Sequence, residues 1–105
     1  MELATATAKF DPGHVVMTPG VEQLITIHPA GGLEPFQFKP WLSAILNRHL
    51  AGDWGDVPPE DAQFNDEAVG AGARLMSSYE IQGEAVWIVT EADRSSTLFT
   101  LPSEY

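Results

Sequence analysis

The chain reads as an α+β domain, two main helices packed on a small antiparallel β-meander of three to four strands. Three observations predict that class. Apolar residues recur at helical spacing after Pro40 and again after Pro58-Pro59, β-rich runs fill residues 75–101, and only short polar turns separate those runs. Strands joined by short turns pair antiparallel, and helices grouped ahead of them cover one sheet face. Residues 1–9 read as a flexible N-terminal tail, and residues 10–105 as a single domain of ordinary size.

Taken in order, Phe10-Asp11-Pro12-Gly13 is a turn and His14-Val15-Val16-Met17 a short β-branched run, a possible extra strand. Thr18 before Pro19 suits a helix N-cap, so a brief helix through Val21-Glu22-Gln23-Leu24 is one reading. Ile25-Thr26-Ile27 alternates like a strand and leaves the other open. His28-Pro29-Ala30-Gly31-Gly32 is a loop without the Lys-Ser/Thr ending of a phosphate cradle.

Pro40 opens the first clear helix. Trp41, Leu42, Ile45, Leu46, His49 and Leu50 form its apolar face, with Ser43, Asn47 and Arg48 toward solvent. It stops at Ala51-Gly52, where glycine takes the left-handed terminal conformation. Asp56 is placed to cap the next helix, with Pro58 and Pro59 in its first turn and Glu60 and Asp61 answering the helix dipole. Phe64, Ala68, Ala71 and Leu75 make a 4-3-4 buried stripe, and Gly70 and Gly72 end the helix near residue 72. Leu75, Ser77, Tyr79 and Ile81 then alternate with Met76, Ser78 and Glu80 up to a turn at Gln82-Gly83. The run 85–90 is nearly all apolar, as in a central strand covered on both faces. Residues 91–94 turn, and residues 96–101 form the last strand before Pro102.

Composition bounds the function. Apolar residues make up 44% and charged residues 19% of 105 residues, a folding composition, and no apolar run approaches the ~18–20 residues of a membrane span. Without cysteine there is no disulfide, thiolate metal site or cysteine nucleophile. The formal net charge is −10, and it is lopsided: residues 50–105 hold eleven acids against Arg74 and Arg94. Such a surface repels nucleic acid and anionic lipid and attracts basic protein surfaces. The plainer reading is that acidity keeps a small protein soluble.

Local chemistry is sparse. Asp53, Asp56, Glu60 and Asp61 are oxygen donors in one stretch, but without the alternating ligands and central glycine of a calcium loop. His14, His28 and His49 never form a close metal-binding pair. His49 reads as a last-turn residue leaning on the core or on Asp53, and Arg94 as neutralising Glu91 or Asp93. Arg74 is placed to answer the acidic helix. Trp54, between glycine and acids, either folds back onto the core or anchors a partner.

The ordered motifs Val16-Met17-Thr18-Pro19-Gly20, Arg48-His49-Leu50-Ala51-Gly52-Asp53-Trp54-Gly55-Asp56, Arg74-Leu75-Met76-Ser77-Ser78-Tyr79, Trp87-Ile88-Val89-Thr90-Glu91-Ala92-Asp93-Arg94-Ser95 and Leu101-Pro102-Ser103-Glu104-Tyr105 resemble a family of small orphan proteins of bacterial plasmids, integrative elements and prophages. The likeness covers most of residues 10–105, and residues 27–38 depart from its usual short spacing. Members often bear the label of a type I restriction modification subunit. This chain has neither the length of a methyltransferase nor a Gly-rich cofactor loop after a strand. The resemblance implies a location on mobile DNA and no reaction.

Charge and that setting together give the expectation of a cytoplasmic, non-enzymatic inhibitor of a host defence complex, of anti-CRISPR or anti-restriction type. Its partner is a protein with a basic surface, not nucleic acid or membrane, and it needs no cofactor or metal. The partner-binding residues expected are Asp53, Trp54, Asp56, Glu60, Asp61, Asp66, Glu67, Glu91 and Asp93, with the acids of the second half gathered on one exposed face. The alternative is a small hydrolase or metal-dependent enzyme using His49, Asp53, Asp93 and Arg94. A third reading is a homodimer formed through the sheet edge.

Overall fold

The structure is a computed structural model that describes residues 8–27, 39–81 and 83–105. Its elements are β1 (His14–Met17), α1 (Pro19–Ile27), α2 (Lys39–Leu50), α3 (Pro59–Ala71), β2 (Leu75–Ile81), β3 (Glu84–Thr90), β4 (Ser96–Thr100) and a single 3-10 turn, Pro102–Glu104. The fold is α+β, with a four-stranded mixed sheet in the order β1-β4-β3-β2. The meander β2-β3-β4 is antiparallel as expected. The extra strand exists too, but β1 pairs parallel to β4. Of the tail expected over residues 1–9, residues 1–7 lie outside the described residues, as does the loop at residues 28–32, but Lys9 belongs to the fold: its backbone N–H donates to Leu50 O at 2.8 Å.

The open choice after Thr18 resolves as helix through Ile27. A carboxylate from the far end of the sequence secures its start. Glu104 accepts from the Thr18 hydroxyl at 2.5 Å, from Gly20 N at 2.8 Å and from Leu101 N at 3.3 Å. The Thr18 hydroxyl above all, with those two N–H groups, holds the Glu104 carboxyl below its usual range. Val21 and Leu24, one helical turn apart, enter the main core. Cap and packing together outweigh the weak strand preference of β-branched residues.

α2 closes as predicted. Asp53 N donates to Arg48 O at 2.8 Å and Gly52 N to His49 O at 3.1 Å, with Gly52 at φ 86°. That paired closure around a left-handed glycine satisfies two terminal carbonyls. In the sheet, Leu75, Ser77 and Tyr79 oppose Thr90, Ile88 and Val86, and all six are buried. Tyr79, Val86, Ile88 and Phe99 join Val21, Leu24 and Ile45 in the main core, so this face lies beneath α1 and α2. The other face carries Met76, Trp87, Val89 and Leu98. There Tyr105 meets Trp87 edge-on at 5.7 Å, and Arg74 donates to the Tyr105 hydroxyl at 2.7 Å. Ile88 and Val89 are at most 1% exposed, which is the covering on both faces expected of a central strand.

α3 departs from expectation in its rotation. The capping position is Pro58, with no side-chain cap, while Asp56 N is spent on Ser78 O at 2.7 Å. The helix does end at Gly72, whose N–H returns to Ala68 O. Its buried residues are Asn65 and Ala68. Ala71 is exposed, Phe64 is 59% exposed, and Leu75 belongs to β2. The reason is the unpaired edge of β2. The Asn65 carboxamide donates to Met76 O at 2.8 Å and accepts from Met76 N at 3.3 Å. Next to it, Ser78 N donates to Trp54 O at 3.1 Å and Gly55 forms a parallel bridge to Ser78. An amide side chain and a short loop thus occupy backbone groups that an edge strand otherwise leaves open.

Candidate functional site

His49 is 0% exposed, as are Ser77, Thr90 and Thr97. Its ring lies edge-on to Phe10 at 5.2 Å and to Trp54 at 5.5 Å. Nδ1 is 2.5 Å from Ser77 Oγ, and Nε2 is 2.9 Å from Thr90 Oγ1. Thr90 Oγ1 lies 2.8 Å from Thr97 Oγ1, which donates to Pro12 O at 2.6 Å. That carbonyl can only accept, so it orients the whole chain. Thr97 donates to Pro12, Thr90 donates to Thr97, and Thr90 must therefore accept a proton from Nε2–H. Nδ1 is left bare and accepts from the Ser77 hydroxyl. Burial, helped by the positive charge of Arg94, pushes the His49 pKa down to about 3, in keeping with a neutral ring.

A serine hydroxyl hydrogen-bonded to a neutral histidine has the ingredients of an activated nucleophile. Here both partners are sealed in the core, and the far ring nitrogen is tied to a threonine. The set is a polar pin holding α2 to β2, β3 and β4 and, through Pro12, to the segment before β1. Among the described residues no buried side-chain nitrogen or oxygen lacks a partner. The hydrolase set does not assemble either. His49 bonds to neither Asp53 nor Asp93. Asp53 takes Arg48 Nε at 2.8 Å, and Asp93 accepts from Ser95 N at 3.0 Å. Among the described residues no group of three or more His, Cys, Asp or Glu is arranged to hold a metal ion.

Arg94 also differs from its expected role, because it pairs with neither Glu91 nor Asp93 through a carboxylate. Nη1 donates to Ala73 O at 2.7 Å and to Glu91 O at 3.0 Å, and Nη2 to Ala68 O at 3.0 Å. The cation thus closes the C-terminal end of α3, where carbonyls and dipole both favour it. Its own backbone sits at φ 60°. Arg94→Met should cost about 2–3 kcal/mol, the usual penalty for losing charge-assisted hydrogen bonds, here to partly buried carbonyls. The urea unfolding midpoint measures it, and an unchanged midpoint contradicts the role. Arg74 answers Glu91 at 3.4 Å and not the acids of α3.

The nine expected partner-binding residues divide. Of the two readings of Trp54, the fold-back onto the core is the one that holds, and its place among the partner-binding residues falls: it is 4% exposed, stacks on Phe10 at 6.3 Å and donates from Nε1 to Asp66 at 2.9 Å. Gly52 and Gly55, both at positive φ, turn the chain so that this ring swings inward. Asp53, Asp66, Glu91 and Asp93 are engaged in the contacts just given. Arg48 holds the Asp53 carboxyl below its ordinary range, and Ser95 does the same for Asp93. Asp56, Glu60, Asp61 and Glu67 are exposed and make no side-chain hydrogen bond or ion pair with a described residue.

The single acidic face does not form. Glu80 and Glu84 flank the β2–β3 turn, Glu91 and Asp93 the β3–β4 turn, and these turns lie at opposite ends of the strands. Of the unengaged acids, Asp56 precedes α3 and Glu80 and Glu84 flank the β2–β3 turn, whereas Glu60, Asp61 and Glu67 share α3. Glu60, Phe64 and Glu67 follow 4-3 spacing along its outer ridge, which places an exposed aromatic ring between two carboxylates. Beside the ridge, Asp61, Phe64, Asn65, Arg74 and Met76 line a cleft of about 210 Å³.

Comparison with protein-family models, curated proteins and solved structures finds no match.

Phe64 takes the surface role that was one of the two readings of Trp54: a bulky ring, 59% exposed, with unneutralised carboxylates around it. Aromatic residues ringed by polar groups are the usual centres of protein interfaces. The signal was present in the sequence, because helical spacing puts Glu60 and Glu67 on the same ridge as Phe64.

Proposed function

We propose that this protein is a non-enzymatic inhibitor carried on mobile DNA. It docks on a basic, nucleic-acid-binding surface of a host defence complex of anti-CRISPR or anti-restriction type, in the cytoplasm. The observation that carries the reading is the α3 ridge, where Glu60, Asp61 and Glu67 surround an exposed Phe64 and have no partner among the described residues. Free carboxylates on a rigid helix are suited to occupy Lys and Arg that otherwise hold phosphates, and the net charge of −10 speeds the encounter. The resemblance to plasmid and prophage proteins supplies the setting.

The test uses cells whose type I restriction or CRISPR nuclease destroys incoming DNA. Expressing the protein should raise transformation toward the level of defence-free cells. An unchanged yield against both kinds of defence overturns the reading. Binding to the isolated complex should weaken steeply with salt, as the screening length falls from ~10 Å at 0.1 M to ~3 Å at 1 M.

A further inference from the structure

The cleft beside the α3 ridge is smaller than the ~300–1,000 Å³ typical of small-molecule sites, and it suits one long side chain. Its polar groups are not equally free. The Asn65 carboxamide is consumed by the backbone of Met76. The Arg74 guanidinium is held by the Tyr105 hydroxyl and paired with Glu91, whose carboxylate balances its charge. That leaves the Asp61 carboxylate, the exposed Phe64 ring and the Met76 thioether. We infer that this cleft receives an arginine side chain from the protein partner, its stem against Met76, its guanidinium against Phe64 and its charge on Asp61. The inference rests on the basic-partner reading above and names the contact at its centre.

Charge complementarity selects the occupant. Asp61, with Glu60 and Glu67 nearby, repels an anion and leaves a neutral apolar group facing an unpaired carboxylate. Arginine fits better than lysine, because its planar guanidinium both stacks on an aromatic face and forks onto a carboxylate. A second copy of this chain is a poor occupant. Each copy carries −10, and its Arg48, Arg74 and Arg94 are all committed internally.

The experiment is an NMR titration of the whole protein at low salt with a short alanine peptide containing one arginine. A second peptide carries citrulline, the neutral near-isostere, in its place. The arginine peptide should shift the Phe64 and Asn65 amides and the Met76 methyl signal saturably, and the citrulline peptide should not. Asp61→Asn should weaken binding about tenfold. Phe64→Ser should weaken it as well, and both variants should keep the parent spectrum elsewhere because the positions are exposed. Equal shifts from both peptides, or none, overturn the cleft assignment. Shifts confined to Glu80 and Glu84 overturn it too, but leave the basic-partner reading standing, since that reading is decided by the transformation assay.

Discussion

Gly55→Ala should lower the unfolding free energy by about 3–5 kcal/mol, a large share of the ~5–15 kcal/mol that a domain of this size has. Gly55 sits at φ 75°, a conformation that costs other residues about 1–2 kcal/mol. A Cβ built there collides with the Ser78 carbonyl oxygen and comes within 2.8 Å of the Tyr79 ring. The oxygen cannot move aside alone, because it accepts from Asp56 N at 2.7 Å while Ser78 N donates to Trp54 O at 3.1 Å. Relieving the collision breaks that pairing, worth about 1 kcal/mol per bond, and shifts the loop that seats Trp54 against Ala68 and Leu75. Denaturant unfolding followed by tryptophan fluorescence measures the effect. A loss below about 1 kcal/mol refutes the edge-capping role of this loop.

The second large effect follows from His49. Its folded pKa of about 3 lies below the 6.5 of an exposed histidine, so the folded state holds fewer protons than the unfolded one in between. The stabilisation is therefore complete above about pH 6.5 and is lost as pH falls, with a limiting slope of about 1.4 kcal/mol per pH unit. Between pH 6.5 and 5 the ordinary carboxylates remain ionised, so this window isolates the histidine. His49→Gln, which keeps an acceptor and a donor but does not titrate, should flatten the dependence there. It should also lower stability near neutrality, because Ser77 and Thr90 lose well-placed partners. Equal slopes in the two proteins contradict a buried neutral His49.

Much of this was legible in the sequence, residue by residue. Pro40, Gly52 and Gly72 marked helix ends that packing did not alter, since each acts through local backbone geometry. Alternation along residues 75–81 put Leu75, Ser77 and Tyr79 on one side of the strand, and that side is the buried one. His49 was placed on the apolar face of α2, and two buried polar groups must find partners. Their meeting, with Thr90 and Thr97, was not deduced because it depends on strand register. The exchange of Trp54 and Phe64 has a comparable cause. Phe64 was counted in a stripe that ran through Leu75, but the helix ends four residues earlier. Asn65 is drawn inward by the open backbone of Met76, a tertiary demand that hydrophobic periodicity does not record. The parallel seat of β1 beside β4 likewise depends on the route of the intervening helices.

The functional account depends on where charge lies, and it differs from a plain effect of acidity in one respect. Glu60→Lys with Glu67→Lys and Glu80→Lys with Glu84→Lys change the net charge equally, the first pair on the α3 ridge and the second around the β2–β3 turn. Protection of incoming DNA, measured in defence-positive cells at matched expression, compares the two directly. The account predicts that the α3 pair abolishes protection and the hairpin pair retains it. Equal loss from both, or protection surviving the α3 pair, contradicts an interaction surface built on that helix.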